Sequence, residues 1–363
     1  MTILSIVGAR PNFIKVAPLH RAFQQRSGVT SRIVHTGQHY DTRMSEVFFR
    51  QLNLPQPDYY LDVVGGSPTR QTADIMTKFE DVLLAEKPDW VVVVGDVTST
   101  LACALVAVRQ GVRVAHVEAG LRSGDRRMPE EINRILTDSL SDKLFVTEQA
   151  GLDNLLREGV PADRIHFVGN VMIDALLQCR AQARSLNTVD TLGLTPRQYV
   201  LMTMHRPSNV DRPEGLETII RLVADTARHQ MVLLPLHPRT TANLNRFGLM
   251  DNLAAIPNVR LLEPQGYLEF LNLMEHATAV VTDSGGVQEE TTYLNVPCLT
   301  FRDSTERPAT VTLGTNTLLA DLNPDAVQAA LTDVFTGNAK QGNVPPLWDG
   351  YAANRIAALL QNS

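Results

Sequence analysis

Short, wholly apolar runs recur along this sequence, and nearly all are followed by a stretch with helical spacing. The runs TILSIVG, SRIVHT, WVVVVGD, VRVAHVE, KLFVT and IHFVGN come first; after a gap come YVLMTMH, MVLLPLH, VRLLEP, AVVTDSGG and PCLTF. A strand with no polar alternation is covered on both faces, which is the signature of a parallel sheet. Between the runs lie segments such as TLACALVAVRQG and PEGLETIIRLVADTARH, whose apolar residues follow helical periodicity. Strand–helix alternation of this kind predicts doubly wound α/β units. The series breaks once, at the helical VMIDALLQCRAQARSL and the turn-rich NTVDTLGLTPRQ. The expected architecture is therefore α/β, with two Rossmann-like domains built on parallel sheets, one over residues 1–170 and one over 171–345. The tail PPLWDGYAANRIAALLQ reads as a final helix after a proline break, and residues 346–363 are expected to return to the first domain.

The 363 residues suffice for two separate cores. A formal net charge of −6 gives no global field that draws the chain to nucleic acid or to an anionic membrane, so an anionic ligand must be met by local cations and backbone donors. The three cysteines, Cys103, Cys179 and Cys298, have no C-x-x-C spacing. They point to neither a disulfide framework nor a zinc site, and fit a reducing cytosol. The opening MTILSIVGARPNFIK has too short an apolar run for a signal peptide, and no run approaches the ~18 apolar residues of a membrane helix. A cytoplasmic protein is expected.

In open parallel sheets ligands bind beyond the C-terminal ends of the strands. There the sequence places Arg10 and Lys15, then Asp96, Glu118, His205 and His237. Arg10 and Lys15 flank Pro11 at a helix start, where cations oppose the helix dipole, which favours a ligand role over a structural one. Asp96 has two readings, as a site carboxylate or as a cap for the following helix. Glu118 leads into AGLRSGD, a loop in which a carboxylate has no cap to serve. Glu130 follows Pro129 at a helix start, where an acidic residue is ordinary. His205 and His237 read equally as strand-end groups bonded to backbone.

The stretch DSGGVQEETTYLNV, from Asp283, leaves a strand through Ser284, Gly285 and Gly286. Glycines let backbone N–H groups approach a bound group, and the helix N-terminus supplies positive dipole and orphan donors for a phosphate. Glu289 and Glu290 would repel that phosphate, and make more sense reaching past it to ribose hydroxyls. The simpler reading is that Ser284 caps a helix and the glycines only turn the chain.

Absent motifs narrow the chemistry. No G-x-x-x-x-G-K-[ST] argues against a nucleotide hydrolase, and no G-x-G-x-x-G follows the first strand. H-E-x-x-H and nucleophile-elbow patterns are missing as well.

Taken together, GARPNFIKVAPL, HTGQHYD, VVVGDVTSTLA, AHVEAGLRSGD, MPEEINR, VGNVMID, HRPSN, DSGGVQEE, FRDSTERPA and WDGYAANRI resemble, in order, the non-hydrolysing UDP-N-acetylglucosamine 2-epimerases. The resemblance runs through nearly the whole chain. It implies a fold like that of the two-domain B-type glycosyltransferases, with the active site in the interdomain cleft. It implies a UDP-sugar substrate, no metal or redox cofactor, no nucleic-acid or membrane partner, a homodimer, and a place in cell-surface polysaccharide synthesis. By position it assigns Ser284, Gly285 and Gly286 to the diphosphate, Glu290 to the ribose and Phe270 of GYLEF to the uracil. Arg10, His237 and Arg307 of TERP are further nucleotide contacts, and Lys15, Asp96, Glu118, Glu130 and His205 match the residues linked to catalysis. The family's reaction expels UDP, removes the C2 proton to give 2-acetamidoglucal, and re-adds UDP after protonation of the other face.

Sister activities remain beside this one: a 2-epimerase of a UDP-2,3-diacetamido hexuronic acid, and a hydrolysing epimerase that releases N-acetylmannosamine. A B-type glycosyltransferase or a non-catalytic nucleotide-sugar binder would not need the acids Asp96, Glu118 and Glu130. Many family members also bind their substrate in a second, activating site. There this chain keeps Gln38, His39, His205 and Arg206, but has Asp41 and Ser208 where the pattern has Gln and Glu. Asp41 only accepts hydrogen bonds and repels a diphosphate, and Ser208 is short, so loss of self-activation is expected.

Overall fold

The computed structural model describes residues 1–37, 49–319 and 323–363, the side chain of Arg10 apart. The chain divides into two compact units, Met1–Gln178 with Pro346–Ser363, and Cys179–Pro345.

The first unit is built on a parallel sheet of β1 (Thr2–Val7), β2 (Thr30–His35), β3 (Tyr59–Tyr60), β4 (Trp90–Val94), β5 (Arg113–Ala119), β6 (Lys143–Val146) and β7 (Ile165–Phe167). Its spatial order is β3-β2-β1-β4-β5-β6-β7. The central strand β4, WVVVV, is buried at every position, because β-branched side chains pack well on both covered faces. The helix Pro68–Glu86 turns Ile75, Phe79, Val82 and Leu83 inward, a stripe spaced by three and four residues.

The second unit repeats the plan with β8 (Tyr199–Thr203), β9 (Met231–Pro235), β10 (Val259–Leu262), β11 (Ala279–Thr282), β12 (Cys298–Thr300) and β13 (Asn316–Leu318), ordered β10-β9-β8-β11-β12-β13. Each sheet reverses direction of growth at its centre, between β1 and β4 and between β8 and β11. Such a reversal opens a crevice at the carboxyl ends of those strands, where the flanking loops part to opposite faces.

Three features differ from the sequence expectation. The edge strands β3 and β13 are two and three residues long, too short for any periodicity to announce them. The division between the units falls inside the helix Val171–Ser185, eight residues beyond the expected boundary at 170. The stretch read as turn-rich contains the short helix Thr188–Thr191.

The terminal helix Ala352–Gln361 belongs to the first unit. Trp348 Nε1 donates to the Thr147 carbonyl at 2.9 Å, and the Asp174 carboxylate accepts from the N–H groups of Ala352 and Ala353 at 3.2 and 2.7 Å. Asp174 thus serves the orphan donors of a helix that starts far away in sequence. Burial pushes its carboxyl up to about 6, against the lowering effect of those two N–H groups. The three cysteines are free and buried. Among the described residues no helix is long and apolar enough to cross a membrane, and no group of three His, Cys, Asp or Glu could hold a metal ion.

Candidate active site

In the first unit the ends of β1, β4 and β5 converge. Asn12, in the first turn of the helix Arg10–Gln24, accepts from Gly8 N at 3.2 Å and Ala9 N at 2.9 Å and donates to Val94 O at 3.0 Å. This side chain stitches the β1 loop to the end of β4. One turn into the same helix, Lys15 forms a buried ion pair with Glu118. Glu118 has φ +75°, a conformation rare and strained for a residue with a side chain, and β5 shifts register against β6 between Val117 and Ala119. A bulge of this kind re-aims a side chain at the rim of a sheet.

Asp96 follows β4. The N-cap of the helix Thr98–Arg109 is Val97, without a side-chain bond, and Asp96 instead receives Arg134 Nη1 at 2.5 Å. Asn133 Nδ2 donates to the Asp96 carbonyl at 2.8 Å. Glu130 is half-buried at the second position of the helix Pro129–Leu140, which also carries Asn133 and Arg134. The structure thus groups Lys15, Asp96 and Glu118 and sets Glu130 on the helix that holds Asp96. Arg10 opens its helix, and its side chain lies outside the description.

Sequence reasoning missed Glu131. It is buried and accepts from Ser123 N and Gly124 N at 2.9 and 3.0 Å and from Arg134 Nη2 at 3.0 Å. Burial alone would raise its carboxyl, but the backbone donors and Arg134 hold it below the ordinary value. Glu131 anchors Arg134, which in turn holds Asp96.

In the second unit Asp283, at the end of β11, is fully buried and accepts from His205 N, Arg206 N and Asn209 Nδ2 at 2.9, 2.8 and 3.0 Å. His205 Nδ1 sits 2.8 Å from the same carboxylate. Burial works against ionisation of Asp283, yet the His205 contact and the backbone donors keep it below its ordinary value. With Nδ1 donating to Asp283, Nε2 is the accepting nitrogen of the neutral His205 ring. His237 lies with its ring centre 5.4 Å from that of His205 and stands at the N-cap of the helix Pro238–Arg246. Its Nδ1 accepts from Arg239 N at 3.2 Å, so the neutral ring carries its proton on Nε2.

Ser284 occupies the N-cap position of the helix Gly285–Leu294 without a side-chain cap bond, and its N–H donates to Thr282 Oγ1 at 3.0 Å. A Cβ on Gly285 would lie 2.5 Å from Arg307 Nη1. The missing side chain at Gly285 leaves room for the Arg307 guanidinium beside the helix start, a use the sequence did not disclose.

Arg307 bonds to Glu306 and lies with Nε 3.1 Å from Glu289 Oε1, all three being buried. Glu289 is therefore the partner of Arg307, which corrects its reading as a ribose ligand. Arg302 Nη2 bonds to Glu306 at 2.9 Å, and Arg206 Nη2 approaches it at 4.0 Å. Burial opposes ionisation of Glu306, but these three guanidinium groups hold it far below the usual carboxylate range. Three guanidinium groups thus meet the carboxylates Glu289 and Glu306 beside the helix start, with the Asp283 carboxylate just before it.

Glu290, on the same helix, accepts from the Tyr267 hydroxyl at 2.9 Å. Burial pushes its carboxyl up to about 7; the Tyr267 bond opposes the rise and the charge of Glu289 adds to it. Phe270, half-buried, lies one helical turn beyond Tyr267 in the helix Tyr267–His276. Ser208 lies in the short helix Pro207–Val210, while Gln38, His39 and Asp41 lie outside the described residues.

The sequence pattern of the family described as UDP-N-acetylglucosamine 2-epimerase matches residues 21–361. The chain belongs to this family. The UDP-N-acetylglucosamine 2-epimerase of Methanocaldococcus jannaschii is 42% identical over 365 residues, covering 99% of both chains. A crystal structure of the epimerase from that organism, in complex with UDP-GlcNAc and UDP, superposes with a TM-score of 0.93 over 100% of each chain. The UDP-2,3-diacetamido-2,3-dideoxy-D-glucuronate 2-epimerase of Pseudomonas aeruginosa is 43% identical over 364 residues, again covering 99% of both chains. The lipopolysaccharide outer core galactosyltransferase WaaB, 13% identical with a TM-score of 0.56, shares the fold alone. The two-unit parallel-sheet fold of this family is thus that of the B-type glycosyltransferases.

Proposed function

We propose that the protein is an isomerase that interconverts UDP-N-acetylglucosamine and UDP-N-acetylmannosamine at C2. The observation that carries the reading is family membership along nearly the whole chain, joined to the cluster of Lys15, Asp96 and Glu118 at the ends of β1, β4 and β5.

The C2–H bond is weakly acidic, since an N-acetyl group is no strong activator. Ionisation at C1 comes first: the C1–O bond breaks, its electrons leave with UDP, and an oxocarbenium-like ring remains. A base then removes the C2 proton, and the C–H electron pair becomes the C1–C2 double bond of 2-acetamidoglucal. A proton delivered to the opposite face of C2 and return of the UDP oxygen to C1 complete the inversion. Two faces require at least two acid–base groups, and Asp96, Glu118 and Glu130 supply them, while Lys15 and His205 match the other residues linked to catalysis. The leaving diphosphate needs its charge held, which suits the Ser284–Gly285–Gly286 helix start, Arg307, His237 and Arg10. Glu290 and Phe270 take the ribose and the uracil.

Incubation with UDP-GlcNAc in D2O tests the reading. Deuterium at C2 with UDP still attached is expected; free N-acetylmannosamine would show hydrolysis, and an unlabelled, unchanged substrate would overturn the assignment. The 43% identity to the diacetamido-glucuronate epimerase favours one second reading, in which a hexuronic acid replaces the hexose. The same experiment with that UDP-sugar decides between them by kcat/KM.

A further inference from the structure

Two fully buried side chains that the reaction above does not use, His116 and Asp138, hold the backbone on both sides of the candidate acids. His116 lies on β5, two residues before Glu118, and its Nε2 is 2.8 Å from the carbonyl of Gly95, the residue before Asp96. A carbonyl only accepts, so Nε2 carries a proton. His116 Nδ1 is 2.6 Å from Asp138 Oδ1. The other oxygen of Asp138 accepts from Gly120 N, two residues past Glu118, at 3.1 Å, and meets Arg122 Nη1 at 2.7 Å.

The backbone between these anchors is unusual. Gly95, Glu118 and Gly120 have φ of +67°, +75° and +80°. Gly95 N donates to Val117 O at 3.0 Å, so the turn before Asp96 is bonded to the residue before Glu118. A Cβ on Gly120 would lie 2.3 Å from Gly151 O, so the chain is pressed there against the helix Gln149–Arg157. A strained residue such as Glu118 persists only where its surroundings over-determine it. His116 and Asp138 supply that constraint, and Asp138 rides on the helix that also carries Glu130.

We infer that His116 and Asp138 are positioning residues: a buried pair that fixes the Gly95–Asp96 turn and the Glu118 bulge against each other, and so sets the spacing of the acids that handle the C2 proton. The inference rests on the epimerase reading. Neither residue touches the substrate; both act through backbone.

The test uses Asp138→Asn and His116→Gln in the full-length protein, with UDP-GlcNAc carrying hydrogen or deuterium at C2. A misplacement near 1 Å costs on the order of 100-fold in rate. We expect kcat to fall about 10- to 100-fold while KM and the Kd for UDP stay within about threefold. The isotope effect on kcat should rise above that of the wild type, because proton removal becomes more fully rate-limiting. Loss of folded protein alone lowers kcat without changing the isotope effect, and that result would overturn the inference, as would wild-type kcat in both variants. Should Asp138→Asn fail to fold, His116→Gln, which leaves the Asp138–Arg122 contact in place, gives the same readings. If the wild type exchanges no deuterium at C2, the epimerase reading fails; if it does and the variants behave like it, only the positioning role fails.

Discussion

Lys15 and Glu118 form an ion pair whose side chains are only 7% and 4% exposed, and Glu118 makes its half of the pair from a left-handed backbone conformation. Two charges are removed from water together, and each offsets part of the other's desolvation. Removing one partner of a buried pair costs about 3–5 kcal/mol. Lys15→Met should therefore lower unfolding stability by that order, and Lys15→Met with Glu118→Leu should recover much of it. Denaturant titration of the two variants decides; equal stability of single and double variants would mean that the pair contributes nothing.

The acids should separate turnover from binding. Asp96→Asn, Glu118→Gln and Glu130→Gln are each expected to cut kcat at least about 100-fold with UDP affinity nearly intact. Asp96 is held by Arg134 and Glu118 by Lys15, so loss of charge there also releases those cations. Wild-type kcat in any one variant would remove that residue from the mechanism.

In the second unit the effect should fall on binding. Arg307→Ala and Glu290→Ala are expected to weaken UDP binding by about 1.5–3 kcal/mol each, read by calorimetry. Unchanged affinity in both would mean that the nucleotide is held elsewhere.

Glu290 also predicts a pH dependence. Its carboxyl in the free protein is pushed up to about 7, and ribose hydroxyls need it ionised to accept from them. Binding then favours the charged form, so UDP should bind about tenfold more weakly at pH 6 than at pH 8 through this group. The titration of UDP itself is removed by comparison with Glu290→Gln. An identical pH profile in the variant would sink the prediction.

Asp174 gives the opposite kind of pH effect, on stability. Its folded value of about 6 lies above the ordinary value of 3.8. A raised carboxyl favours folding when protonated, so its contribution is present below the unfolded value and lost as pH rises through about 6. Relative to Asp174→Asn, the wild type should lose on the order of 1–3 kcal/mol between pH 4 and pH 7. Thermal melts of both proteins across that window should converge or cross; parallel curves would show that Asp174 does not titrate there.

The departures Asp41 and Ser208 predict kinetics without self-activation. Starting from UDP-ManNAc alone, the reverse reaction should begin without a lag and follow a hyperbola. Strict dependence on added UDP-GlcNAc would show that an activating site persists.

Much of this architecture follows from local pattern. An unbroken apolar run such as WVVVV has one favourable environment, between two layers of helices, so the parallel sheets could be read directly. Strand ends then marked where Lys15, Asp96, Glu118 and His205 would stand, because a chain leaving a buried strand places its first polar residues at the rim. What the local pattern does not carry is partner choice. Asp138 lies 22 residues from His116 and Tyr267 lies 23 from Glu290, and nothing in either stretch names the other. The edge strand β3 exists because Val34 and His35 pair with Tyr59 and Tyr60, not because two tyrosines prefer to be a strand. The space beside Gly285 is taken by a guanidinium that approaches from Arg307. Periodicity and turn chemistry act over a few residues and are written in sequence order. Burial, charge pairing and strain are settled by which loops the fold brings together, and for this protein only the tertiary structure decided them.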